Sequence, residues 1–279
     1  MKKIILSVMA ILYFCTNGIA VSCKIKLNNI ETLEKKISDL KVEQANVMNK
    51  YLQISDKQDI VLKEKDILKN KIVSIKHGPS KNFDSQYCKL LELLIEKKEK
   101  AIENLTFRLA MHKLSNDMNK IIFNINDAKI ELIKAEIKIG KTPKKHLDIA
   151  KTINKYNKTR FKQYSVSDIK ITEAKMKEKE AHIKLLKVSS ELNDKIHEVQ
   201  KNSNASLSYI VNMNIDVVKL IDKEDKSRLK YKQMKERKIQ EELKQIKGRV
   251  KFCKNKEKFY KTILKFNIDE RILQKFFSY

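Results

Sequence analysis

The sequence predicts an all-α protein, an elongated antiparallel helical bundle or coiled coil of about four long helices. Three observations carry this. Phe107, Met111, Leu114, Met118, Ile121, Ile125, Ala128, Leu132, Ala135 and Ile139 are all apolar at alternating steps of four and three. A 3.5-residue repeat held that long sets one apolar seam along a helix, the pattern of coiled-coil packing. Only 4 Gly and 2 Pro occur, so the chain has few places to turn. The breaks fall near residues 78, 140 and 203, which divides the chain at nearly equal intervals. Helices of about 55 residues, each about 80 Å long, fit that spacing.

The first helix is expected over about 28–76. Its seam runs Ile30, Leu33, Ile37, Leu40, Val47, Tyr51, Ile54, Val61, Leu68, Ile72 and Ile75, and only Gln44, Gln58 and Lys65 interrupt it. Single polar residues in such a seam commonly fix register. His77-Gly78-Pro79-Ser80 stops the helix. The second is expected over 84–139, with Asp84 as its N-cap and Gly140 as its terminator. The third, over 144–200, starts after Pro143. Its seam is ragged at Ile149, Ile153 and Tyr156 and firmer from Ile171 to Val199, with a kink or recap expected at Ser165–Asp168. A polar cluster, Lys201–Ser206, is the third turn. The fourth helix is expected over 206–262, with a seam through Ile210, Val217, Ile221, Ile239, Leu243, Ile246 and Val250. An aromatic-rich tail continues to Tyr279.

Charge narrows the function. The 61 Lys and Arg residues outnumber 35 Asp and Glu, a net charge of +26 that favours polyanionic partners. Export selects among these. Met1-Lys2-Lys3 precedes an apolar run from Ile4 to Phe14, and small Gly18 and Ala20 suit the cleavage positions, so residues 1–20 read as a secretory signal peptide and 21–279 as the helical region. Removing Lys2 and Lys3 leaves a charge of about +24. An uncleaved anchor is the competing reading, and Ala20-Val21-Ser22-Cys23 loosely matches a lipidation box. Export argues against intracellular nucleic acid as the partner.

Catalytic patterns are missing. The sequence holds no Gly-rich phosphate loop, no G-x-S-x-G and no H-E-x-x-H. The histidines lack ligand spacing, and His182 and His197 read as solvated helix residues. No enzyme activity, metal or cofactor is expected. Two basic blocks are the candidate polyanion sites: Arg228, Lys230, Lys232, Lys235, Arg237 and Lys238 within a stretch of sixteen basic and six acidic residues from Lys223 to Lys261, and Lys151, Lys155, Lys158, Arg160 and Lys162. Up-down topology sets Cys23 and Cys253 at one end and Cys88 at the other, so Cys23–Cys253 is the candidate disulfide. Asn104, Asn157 and Asn204 stand in N-x-S/T acceptor sequences.

An exported, Lys/Ile/Asn-rich, nearly glycine-free helical chain resembles, in composition and layout, the secreted spore-wall proteins of microsporidian parasites. The resemblance implies a structural coat protein, adherence to sulfated glycosaminoglycans, and other coat proteins as partners; the helix seams themselves offer a route to homo-oligomers. Helical surface lipoproteins of spirochetes look similar too, with Cys23 as the acylated residue. The alternative is therefore a membrane-surface or lipid-anchored helical protein that binds a host or partner protein.

Overall fold

The computed structural model describes the backbone of residues 2–77, 83–140, 142–202 and 206–265, and the side chains of 31–75, 86–140, 142–202 and 206–265. The fold is all-α, with four long helices and no strand among the described residues: α1 (Lys2–His77), α2 (Phe83–Lys138), α3 (Lys144–Lys201) and α4 (Leu207–Lys265). Three of the four bounds lie close to those expected. α1 differs, because it runs back to Lys2 rather than starting near residue 28, through an apolar segment with no proline to stop it. The signal-peptide reading, Cys23 and the Gly78-Pro79 turn lie outside the described side chains, as does the tail after Lys265.

The middle break is the one the sequence marks most plainly. Gly140 adopts φ +74°, the left-handed conformation that ends helices at little cost only for glycine. Its N–H donates to the Ile137 carbonyl at 3.1 Å, and Ile139 donates to Ala135 at 3.3 Å. Thr142 Oγ1 donates to Glu136 at 2.7 Å, and the Pro143 carbonyl accepts from His146 at 3.0 Å as α3 begins. α3 is not recapped at Ser165–Asp168: helical structure is continuous there, and Thr172 turns its hydroxyl back on the Asp168 carbonyl.

The chain divides into two compact units. One comprises Met1–Asn49, Asn116–Lys162 and Lys251–Tyr279; the other comprises Lys50–Ser115 and Gln163–Val250. In the first unit, Asp127 of α2 accepts from Asn154 (2.6 Å) and pairs with Lys158 of α3 (2.7 Å), while Phe123 meets Phe161 edge-on at 5.2 Å. The residue numbers on α3 rise as those on α2 fall, so the two helices are antiparallel. Ile130, Ile149, Ala150, Ile153 and Phe259 form the buried cluster here, with Tyr156 stacked on Phe259 at 3.9 Å. The ragged start expected for the α3 seam is thus among its tightest-packed stretches, because aromatic rings of α4 fill the gaps that aliphatic periodicity leaves.

In the second unit, Glu64 pairs with Lys100 at 2.7 Å, joining α1 to α2. Glu99 pairs with Lys187 at 3.1 Å, and Glu191 with Lys223 at 2.7 Å. As the α3 partner moves from Ser189 through His182 to Tyr164, its α4 neighbour moves from Glu224 through Tyr231 to Arg249, a constant antiparallel register.

Burial corrects two seam assignments. α2 buries more than one narrow stripe. Ile121, Ile125 and Ala128 are buried as expected, but so are Asn104, Asn126 and Ile130 off the seam. The larger change is on α4. Ile221, Ile239, Leu243, Ile246 and Val250 face outward, each about half exposed. The inward stripe of α4 instead passes Met213, Val217, Leu220, Tyr231 and Met234 to Phe252 and Phe259. Ile210 and Val217 of the expected seam are partly buried, but beyond them larger, flexible or aromatic side chains make the contact, and the aliphatic positions from Ile221 to Val250 are left outside. The α1 seam stands as expected: Val61, Leu68 and Ile72 are buried, and its other described members up to Ile75 are partly so.

Candidate polyanion-binding groove

The α3–α4 register in the second unit brings Lys184 opposite Lys230. Between the helices lies a groove of about 320 Å³, walled by Lys184, Lys223, Lys226 and Lys230 with Asp222 and Ser227. Four lysines against one aspartate give it a positive balance, although the aliphatic stems of the lysines and Ala181 make its walls largely apolar. Two of the four are tied: Lys223 to Glu191 at 2.7 Å and Lys226 to Asp222 at 2.6 Å. Lys184 and Lys230 form no ion pair among the described residues. All four lysines are exposed, so such pairs are worth about 0–1 kcal/mol and yield readily to a stronger anion.

Of the expected block, only Lys230 lines this groove. Arg228, Lys232 and Lys235 follow one line on the outer surface of α4, spaced by four and three residues, and Lys230 and Arg237 lie on another. Lys238 is half-buried, and Arg228 is engaged by Glu224 at 3.2 Å. The six therefore do not form one patch, because a helix spreads consecutive charges around its circumference. The second block does better. Lys151, Lys155, Lys158 and Lys162 repeat every turn along one exposed face of α3 in the first unit, a row about 16 Å long. Arg160 points away from that row, and Lys158 is held by Asp127.

Lys184, Lys223 and Lys226 are groove residues outside the expected block, although Lys223 and Lys226 fall within the wider basic stretch that contains it. Lys223, Lys226 and Lys230 share a face at steps of three and four, which is legible in the sequence. Lys184 comes from the neighbouring helix and enters only with the register.

Beside the groove lies a polar layer of the core. Glu178 is buried within it, near Lys179 at 3.5 Å, and its carboxylate accepts from the Tyr231 hydroxyl across the helix pair. His182 is not solvated as expected. Its ring lies 4.3 Å from that of Tyr231, its Nδ1 is buried, and burial together with Lys98 lowers its pKa to about 4. Burial, then Lys179, lowers Lys98, and burial raises the Tyr231 hydroxyl.

The remaining candidates separate. The Asn104 side chain is buried in α2. Asn157 is half-buried in α3, and Asn204 falls outside the described residues. Cys253 is an exposed thiol, while its expected partner Cys23 lies outside the described side chains. Cys88 is partly buried and faces Asp194. Among the described residues no group of His, Cys, Asp or Glu is arranged to hold a metal ion, and no helix is long and apolar enough to cross a membrane.

Fold and groove together define an all-α helical-bundle protein with basic surface features. Comparison with known protein families, curated proteins and solved structures finds no match.

Proposed function

We propose that this chain is a non-catalytic structural protein of an extracellular coat, such as a spore wall, that holds sulfated glycosaminoglycans or similar polyanions. The observation that carries the reading is the four-lysine groove between α3 and α4. The lysine row on α3 offers a second contact line of the same sign, and the signal-like start supports an extracellular setting. A flexible polyanion gains from many weak contacts, since one close charge pair in water is worth about 1 kcal/mol.

Heparin chromatography of the full chain tests this. Replacing Lys184, Lys223, Lys226 and Lys230 by Gln is expected to bring elution to clearly lower salt. The same change at Lys57, Lys63, Lys69 and Lys71, exposed on α1 of the same unit, removes equal charge and is expected to matter less. Equal shifts from both sets would reduce the effect to bulk charge. Sedimentation with anionic liposomes that exceeds heparin binding would favour a membrane-surface protein instead.

A further inference from the structure

Among the described residues, α4 carries two apolar stripes, and one of them is covered. The inner stripe packs on α3. The outer one passes Val211, Ile215, Val218, Leu229, Ile239, Leu243, Ile246 and Val250 at alternating steps of four and three, each 45–65% exposed. The repeat is unbroken as a register across the second unit: its remaining positions are Asp222, Asp225, Lys232 and Glu236, which place polar layers at the centre. The aliphatic positions cluster at the two ends of the seam, Val211 to Val218 and Ile239 to Val250, with Leu229 between charged layers, and exposed aliphatic clusters on a surface helix mark an interaction site. Its spacing fits knobs-into-holes packing by one further helix.

Charge identifies the occupant. The positions flanking the seam on one side are Asn212, Lys219, Lys226, Gln233, Gln240 and Lys247; on the other they are Asn214, Ile221, Arg228, Lys235, Glu242 and Arg249. Six are basic and one is acidic, and Lys219, Lys226 and Arg228 are partly answered by Asp216, Asp222 and Glu224 of α4 itself. Flanking charges set partner choice in coiled coils. A second copy is disfavoured in both orientations. Parallel pairing sets Asp222, Asp225 and Glu236 each against its own duplicate, and antiparallel pairing sets the lysine rows against each other. We propose that the outer seam of α4 docks an acidic amphipathic helix of a different protein, with aliphatic residues on its seam, Glu or Asp on both flanks, and a basic residue facing Asp222 and Asp225. This does not rest on the polyanion reading, because it needs the aliphatic stripe as well as the charge.

The probe is a synthetic peptide of about five heptads with Ile and Leu on its seam, Glu on its flanks and one central Lys, beside an otherwise identical peptide with Lys flanks. Binding to the full chain is followed by fluorescence anisotropy. The Glu peptide is expected to bind, and Ile239→Glu with Leu243→Glu to weaken it on the order of tenfold to a hundredfold, as for loss of buried aliphatic contacts. Lys219→Glu, Lys235→Glu, Lys247→Glu and Arg249→Glu together leave the groove lysines intact and are expected to transfer preference to the Lys peptide. Binding unaffected by the seam substitutions would overturn the proposal, leaving only bulk attraction of a polyanion. So would self-association of the free chain abolished by Ile239→Glu and Leu243→Glu, which makes a second copy the occupant. Binding that emerges only after removal of residues 266–279 would assign the seam to the chain's own tail and overturn it equally. Heparin retention unchanged by the seam substitutions separates this outcome from the groove's.

Discussion

His182 shows how burial of one ring couples stability to pH. Folded, it stays neutral down to about pH 4; in an unfolded chain the proton binds from near 6.5. Between these values the unfolded state holds more protons, so stability rises with pH and is lost as pH falls through the window. Burial lowers His112 in the same direction. Thermal unfolding followed by circular dichroism is expected to show a falling Tm from about pH 6.5 to 4.5, and His182→Phe, which keeps the ring against Tyr231, to flatten that slope. An unchanged slope would shift the cause to other groups. Packing discriminates at the same scale. Ile153 is 1% exposed, and Ile153→Ala is expected to cost about 2–5 kcal/mol in urea unfolding. Ile239→Ala, on the outer stripe, is expected to stay within about 0.5 kcal/mol. A large loss at Ile239 would mean that the outer stripe is already covered.

Among the helices, two glycines make opposite predictions. A Cβ at Gly140 would meet nothing within 4 Å, so Gly140→Ala costs only the left-handed backbone, about 1–2 kcal/mol. Gly248 lies inside α4 with equally open space, and Gly248→Ala is expected to stabilise by about 0.5–1 kcal/mol. Urea midpoints moving in opposite directions would bear this out; two shifts of one sign would not. The same elements show what the sequence made legible. Gly140 and Pro143 were readable because each forbids a backbone geometry whatever the fold around it. The α1 seam was readable because that helix has one dominant stripe, with Gln44, Gln58 and Lys65 as its polar interruptions. α4 misled because two stripes share the 3.5-residue spacing, and periodicity alone does not say which is covered. The deciding partners, Tyr156 and the α3 surface, lie far away in sequence. Glu178 and His182 were hidden for a related reason: a polar residue at helical spacing reads as solvated until a second and third helix close over it. The groove was half legible, three lysines from spacing on α4 and the fourth only from the antiparallel register.

For the molecule as a whole, a charge of +26 sets two salt responses against each other. Self-repulsion destabilises the folded chain and is screened by salt, so Tm is expected to rise as NaCl goes from about 20 to 500 mM. Heparin retention is expected to weaken over the same range. A Tm falling with salt would mean that the ion pairs between helices, such as Glu64–Lys100 and Glu99–Lys187, outweigh the repulsion. Those pairs have a further consequence. Each named ion pair or ring contact between helices, among the described residues, joins helices that follow one another in the chain: α1 with α2, α2 with α3, α3 with α4. Helices that pair with their neighbours in the chain can dock in the order in which they are made. On the ribosome, α2 can settle on α1 before α3 exists. At about 5–20 residues per second, the α3 surface that receives α4 then waits about 3–12 s for it. During that interval the buried row of Tyr156 and its neighbours is the apolar surface most open to a wrong partner.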